Sequence, residues 1–190
     1  MDSLTQLKKL RILPLLIAPA LIVGAFTPVP AAANPGCSTS NRNLLAPVPA
    51  GYFPSGLLNL MCRSNLPAWF LLTRIRGDSD LYITEVTFQP NSQTGWHSHP
   101  GPSLITVTAG QLTVYDADDP TCTPKIYNTG DSFTDLGCGD IHLVRNEGPV
   151  CAVTIAVQII PAGQLRRIDA DQPPNCPTFI CPSPTPGPCP

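Results

Sequence analysis

The sequence predicts an all-β fold, an antiparallel sandwich or barrel, and three observations carry that prediction. Seven short runs are rich in β-branched and aromatic residues, which fit a pleated, half-buried surface: WFLLTRI (69–75), LYITEVTF (81–88), SLITVTA (103–109), QLTVYD (111–116), KIYNT (125–129), IHLVRN (141–146) and CAVTIAVQII (151–160). Turn residues separate them, and the signals at Ala109-Gly110, Asp116 to Pro120 and Asn146 to Pro149 predict hairpins. No convincing amphipathic helix lies between the runs, so the crossovers that a parallel sheet needs are missing.

In chain order, residues 1–33 read as an export signal. LKKLR supplies a cationic start, ILPLLIAPALIVGAF an apolar run broken by Pro14 and Pro19, and Ala31 to Ala33 a small-residue cleavage site. The apolar run is short for a membrane span, so a secreted or periplasmic protein is expected. Residues 34–66 mix Pro, Gly, Asn and Ser with short apolar runs, which predicts an irregular arm with one helical turn around GLLNLM. The β-barrel domain occupies 67–170. Beyond it, residues 171–190 hold eight prolines and form an extended, solvated tail in this reading.

At 190 residues with 43% hydrophobic positions, the chain can bury a real core. Its formal net charge is -2, or -4 once the first 33 residues are removed, so no basic field attracts phosphate backbones or anionic lipid. Nucleic acid is excluded as a partner, and no membrane association is expected after signal cleavage. Eight cysteines suit an oxidising compartment and predict disulfides, while the absence of close pairs argues against a cysteine-bound zinc or iron-sulfur site. Cys37 with Cys62, stapling the arm, and Cys122 with Cys176, tying a loop to the tail, are two conjectures among many connectivities.

The chemistry concentrates in GWHSHPGPS (95–103), which holds two of the three histidines. On an extended segment, residues two apart project to one side, so His97 and His99 face the same space while Ser98 faces away. The third histidine, His142, opens another apolar run after the glycine-rich turn LGCGD. Three imidazoles meeting inside a barrel can hold one divalent transition metal, Fe, Mn, Zn or Ni, and leave positions open for a ligand.

The flanking pattern resembles the cupin family, whose first motif reads G(X)5HXH(X)3,4E(X)6G and whose second reads G(X)5PXG(X)2H(X)3N. His97, His99, Ser103 and Gly110 fall on the first spacing; Gly139, His142 and Asn146 fall on the second. The resemblance implies a jelly-roll β-barrel with His97, His99 and His142 as metal ligands. It also allows a homodimer paired through edge strands. The departures are specific. Asn91 stands where the first motif opens with glycine, which asparagine's access to left-handed backbone tolerates. Gly137 replaces the second motif's proline, Gly130 lies one residue too far upstream, and Ser103 replaces the glutamate.

Loss of that carboxylate leaves the cation's charge uncancelled, which favours anionic or enolisable ligands and resembles the three-histidine cupins, thiol and diketone dioxygenases among them. Ser103 can hold a water but offers no charge. Glu85 and Asp140 are the two acidic residues that could substitute, and both read as solvated or turn carboxylates. Trp96 is expected to point outward and pack against the arm or a partner, Tyr115 and Phe88 to pack in the barrel, and Gln158 to be a satisfied core amide. For Cys138, a disulfide or a buried thiol is expected ahead of a metal-bound thiolate. Three readings remain: a metal-dependent oxygenase or isomerase/lyase acting on a small molecule, a non-catalytic module that binds a small ligand or a metal, and a barrel stapled by a structural metal.

Overall fold

A computed structural model of the chain describes residues 36–180 and Cys189. The expected export signal, and most of the last ten residues of the tail, lie outside the described residues. Thirteen strands follow in order: β1 (Cys37–Asn43), β2 (Gly51–Phe53), β3 (Leu60–Arg63), β4 (Phe70–Thr73), β5 (Ser79–Gln93), β6 (His97–Ser98), β7 (Ser103–Ala109), β8 (Gln111–Asp116), β9 (Lys125–Asn128), β10 (Ser132–Asp135), β11 (His142–Arg145), β12 (Ala152–Pro161) and β13 (Ile168–Asp169). Every pairing is antiparallel, and eleven strands join in one continuous sheet. The result is a nearly closed jelly-roll barrel.

One wall runs β1, β5, β12, β7, β10 and the other β9, β8, β11, β6, β13; β11 meets β5 at Arg145 and Gln93 to join them. Side-chain alternation then decides the interior. On β5, Thr84, Val86 and Phe88 face the cavity, with Thr154, Ala156 and Gln158 of β12 beside them. Phe88, Val107, Leu112, Val114, Val144 and Ala152 pack as the barrel core. Burying such side chains stabilises by roughly 1.5–3 kcal/mol each.

Only one of the three expected hairpins is a hairpin. β8 and β9 pair across the Asp116 to Pro120 turn, whereas Gly110 and the Asn146 to Pro149 turn are corners where the chain changes wall. β7 pairs with β12 and β10 while β8 pairs with β11 and β9. Gly110 has φ 72°, and a Cβ there would lie 2.6 Å from the Cys151 carbonyl oxygen, so only glycine lets the corner close onto β12. Asn146 fastens the other corner. Its amide donates to the carbonyls of Phe88 (3.1 Å) and Val150 (2.7 Å), and its oxygen accepts the Gly148 N–H.

The arm is more ordered than its composition implies. β1 pairs with β5 from Asn43↔Thr84 to Cys37↔Gln93, because β5's outer edge offers unpaired backbone groups that residues 37–43 satisfy. In place of the expected helical turn, residues 54–59 form hydrogen-bonded turns. The run at 69–75 contributes β4 to a separate two-stranded ribbon with β3, and not to the barrel.

The described part of the tail is also packed. Cys122 and Cys176 form a disulfide, as conjectured, and with Trp96, Tyr115 and Leu143 they make a second buried cluster on the outer face of β8 and β11. Phe179 stacks on Tyr115, centroids 4.8 Å apart, and lies under the Arg145 guanidinium. The tail therefore has an apolar job, sealing Trp96, which points out of the barrel as expected but is covered by this segment and donates its indole N–H to Gln172. Cys151 bonds Cys189. Cys37 is disulfide-bonded while Cys62 is free, which overturns that pairing. Cys138 is likewise free and exposed, neither bridged nor buried.

Candidate metal centre

Three elements bring the histidines together. β6 presents His97, its C-terminal extension presents His99, and β11 pairs with β6 so that His142 lies directly opposite His97. The ring centroids are 4.4 Å apart for His97 and His142, 4.8 Å for His97 and His99 and 5.5 Å for His99 and His142. One ligand atom from each lies within 4.8 Å of the others. The cluster can therefore coordinate a single divalent ion.

Backbone carbonyls orient the rings. His97 Nδ1 donates to the Gly95 carbonyl at 2.8 Å, His99 Nδ1 donates to the Arg166 carbonyl, and His142 Nδ1 lies 3.4 Å from the Asp140 carbonyl. A carbonyl accepts only from a protonated nitrogen, so His97 and His99 are held in the tautomer whose Nε2 lone pair is free for a cation. Burial, with repulsion from His142, Arg167 and His99 added, lowers the His97 pKa to about 2. Burial lowers that of His99 as well. The neutral form, the one that binds metal, prevails at neutral pH.

A buried carboxylate lies against the rings. Asp135, at the end of β10, is 5% exposed, with Oδ2 3.4 Å from His99 Nε2 and Oδ1 3.7 Å from His142 Nδ1. The Ser103 hydroxyl donates to it at 3.3 Å and the Gly137 N–H at 2.8 Å. Ser103 thus supports a carboxylate instead of replacing one. Asp135 is neither of the two acidic residues, Glu85 and Asp140, that the sequence offers as substitutes, yet it carries a signal: Phe133 and Asp135 share one face of a strand that leads into LGCGD. Glu85 is turned outward and pairs with Arg42 at 2.8 Å, and Asp140 contributes only its backbone carbonyl.

Gly137 makes this corner possible. At φ 63° it lies so close to Gly101 that a Cβ would stand 2.2 Å from the Gly101 carbonyl oxygen. Two glycines in contact let the 135–142 loop approach the HSHPG segment, and the carboxylate reaches the imidazoles.

Below the cluster lies a cavity of about 90 Å³, room for several waters or one small molecule. Val86, Phe88, Ile105, Phe133 and Val144 make it largely apolar; Thr84, Gln158 and Arg166 add polar groups. Gln158 is satisfied, as expected, since its Oε1 accepts the Arg166 Nε–H at 2.9 Å. Arg166 also reaches Thr84 Oγ1 at 3.4 Å and lies 4.6 Å from the Tyr82 ring centroid. No carboxylate pairs with it among the described residues. Burial lowers its pKa.

Residues 84–157 match the family model of the Cupin domain. No curated protein matches the chain. Among solved structures, the chain is similar to the polyketide cyclase RemF from Streptomyces resistomycificus, at 15% identity over 76% of this chain and 80% of that one, with a TM-score of 0.49. It is also similar to a Cupin 2 conserved barrel domain protein from Leptotrichia buccalis, at 18% identity over 64% of this chain and 40% of that one, with a TM-score of 0.40.

Proposed function

Residues 84–157 form a cupin domain carrying a three-histidine cluster, and on that premise we propose that the chain is an exported metal-dependent enzyme, an oxygenase or an isomerase/lyase, acting on a small anionic or enolisable molecule. The observation that carries this reading is a small cavity lined by the three histidines and by Arg166, which has no carboxylate partner among the described residues, with Asp135 set against His99 and His142. His97, His99 and His142 hold the ion. When bound, it supplies Lewis acidity and open positions for substrate or dioxygen.

The chain's own groups divide the remaining work. Arg166, half-buried and without a carboxylate partner among the described residues, offers its charge to a carboxylate or enolate and orients it. Asp135, held by Ser103 and the Gly137 N–H, sits against His99 and His142 and tunes the charge on their rings. The apolar wall of Phe88, Val86 and Val144 displaces water and strengthens both interactions.

The test is a panel of small carboxylates, thiols and β-diketones offered to the iron-loaded and manganese-loaded protein, with oxygen uptake and product formation followed. Turnover that falls in Asp135→Asn and Arg166→Gln is the expected result. Saturable binding without turnover for any member of the panel supports the alternative, a non-catalytic ligand-binding module.

A further inference from the structure

The β3–β4 ribbon stands apart from the barrel chemistry. It pairs only with itself, in register from Leu60↔Thr73 to Arg63↔Phe70. A two-stranded ribbon in water is marginally stable and normally buries one apolar face. This one buries neither: on one face Met61 is 78% exposed, Leu72 64% and Phe70 53%, on the opposite face Leu60 and Leu71 are exposed too, and Trp69, just before the second strand, is 52% exposed. Its flanks are cationic. Between residues 55 and 77 the chain holds Arg63, Arg74 and Arg76 and no acidic residue, although the whole chain is net acidic. All three arginines are exposed, and none is in an ion pair among the described residues.

We propose that this ribbon docks the protein on an anionic lipid surface, with the Trp69 and Phe70 end entering the headgroup and upper acyl region and Arg63, Arg74 and Arg76 engaging phosphates. Two observations select a bilayer over a protein partner. A groove or a second sheet covers one face of a ribbon, whereas a lipid interface surrounds both, and both faces here are apolar. A second copy would also bring six guanidinium groups together with no carboxylate between them, while anionic headgroups complement three. Penetration stays shallow, because the ribbon's edges carry unpaired backbone groups that hydrocarbon cannot satisfy. Tryptophan suits that depth. The expectation of no membrane association rested on whole-chain charge, which averages this patch away.

The chain's two tryptophans provide the measurement, since Trp96 is fully buried and gives a constant background that lipid does not reach, while Trp69 is exposed. The protein lacking residues 1–33 and carrying Cys62→Ser and Cys138→Ser, which removes both exposed free thiols, is mixed with vesicles of phosphatidylcholine alone or of phosphatidylcholine and phosphatidylglycerol in equal parts. Co-sedimentation with the anionic vesicles and a blue shift of tryptophan emission are expected. Trp69→Ser abolishes the shift, and Arg63→Gln, Arg74→Gln and Arg76→Gln together weaken partitioning about a hundredfold, roughly fivefold for each arginine near the surface. Three results overturn the proposal: no sedimentation with either vesicle, equal binding to both that ignores the arginine substitutions, or a blue shift that grows with protein concentration without lipid. The last assigns the ribbon to a second copy of the chain.

Discussion

Asp135 alters the chemistry more than any other single residue. Three imidazoles alone leave a dication's charge intact, whereas a buried carboxylate within 3.4 Å of His99 Nε2 offsets part of it. Asp135→Asn keeps the shape and the oxygen that accepts the Gly137 N–H, so the fold should persist while metal affinity falls roughly 10 to 100-fold. A chelator competition titration reads this directly, and unchanged affinity would assign Asp135 to loop structure alone. The histidines were legible because the spacing of two on an extended segment dictates a shared side. Asp135 was not, because its approach depends on the contact between Gly101 and Gly137, which no local pattern announces. His97 adds a pH dependence. An unfolded chain protonates this imidazole below about pH 6.5, but the folded one resists to about 2. The unfolded state therefore binds the extra proton across that window, and stability falls as pH drops through it, by at most about 1.4 kcal/mol per pH unit. Thermal midpoints of the metal-free protein should decline between pH 6 and pH 4, and His97→Gln should flatten that decline.

Among the elements, composition located the strands but not always their partners. Six of the seven runs became barrel strands, since β-branched residues in alternation fit a half-buried wall wherever it lies. The seventh, 69–75, has the same composition and stands in the ribbon, because propensity reports a pleated surface and not what covers it. Turn chemistry had a similar limit: Ala109-Gly110 and Asn146 to Pro149 mark reversals, but the strands they join belong to opposite walls. β1 was hidden in Ser, Thr and Asn, residues that pair by backbone alone at a sheet edge. Gly137 offers a test at this scale. Gly137→Ala puts a Cβ into the Gly101 carbonyl at a positive φ, which should cost roughly 2 kcal/mol or more. A denaturant midpoint unaffected by the change would mean the 135–142 loop is free to move away from the HSHPG segment.

The described residues form a jelly-roll barrel with a second apolar cluster outside it, sealed by a strap that the proline-rich composition did not reveal. Proline forbids regular pairing but not packing, and residues 171–180 cover Trp96 and Tyr115 through side chains and the Cys122–Cys176 disulfide. In chain-entropy terms, a bridge closing 54 residues stabilises by about 4 kcal/mol. This outer layer holds β6, β8 and β11 in place, and those strands carry His97 and His142. The barrel and its closure thus serve one end, a cation position lined by three imidazoles above a small cavity. The most direct measurement is anomalous-difference crystallography of the protein loaded with one equivalent of manganese or zinc. A single peak at about 2.0–2.2 Å from one nitrogen each of His97, His99 and His142 is the expected result. An ion bound elsewhere, or one touching fewer than three of these rings, would contradict it.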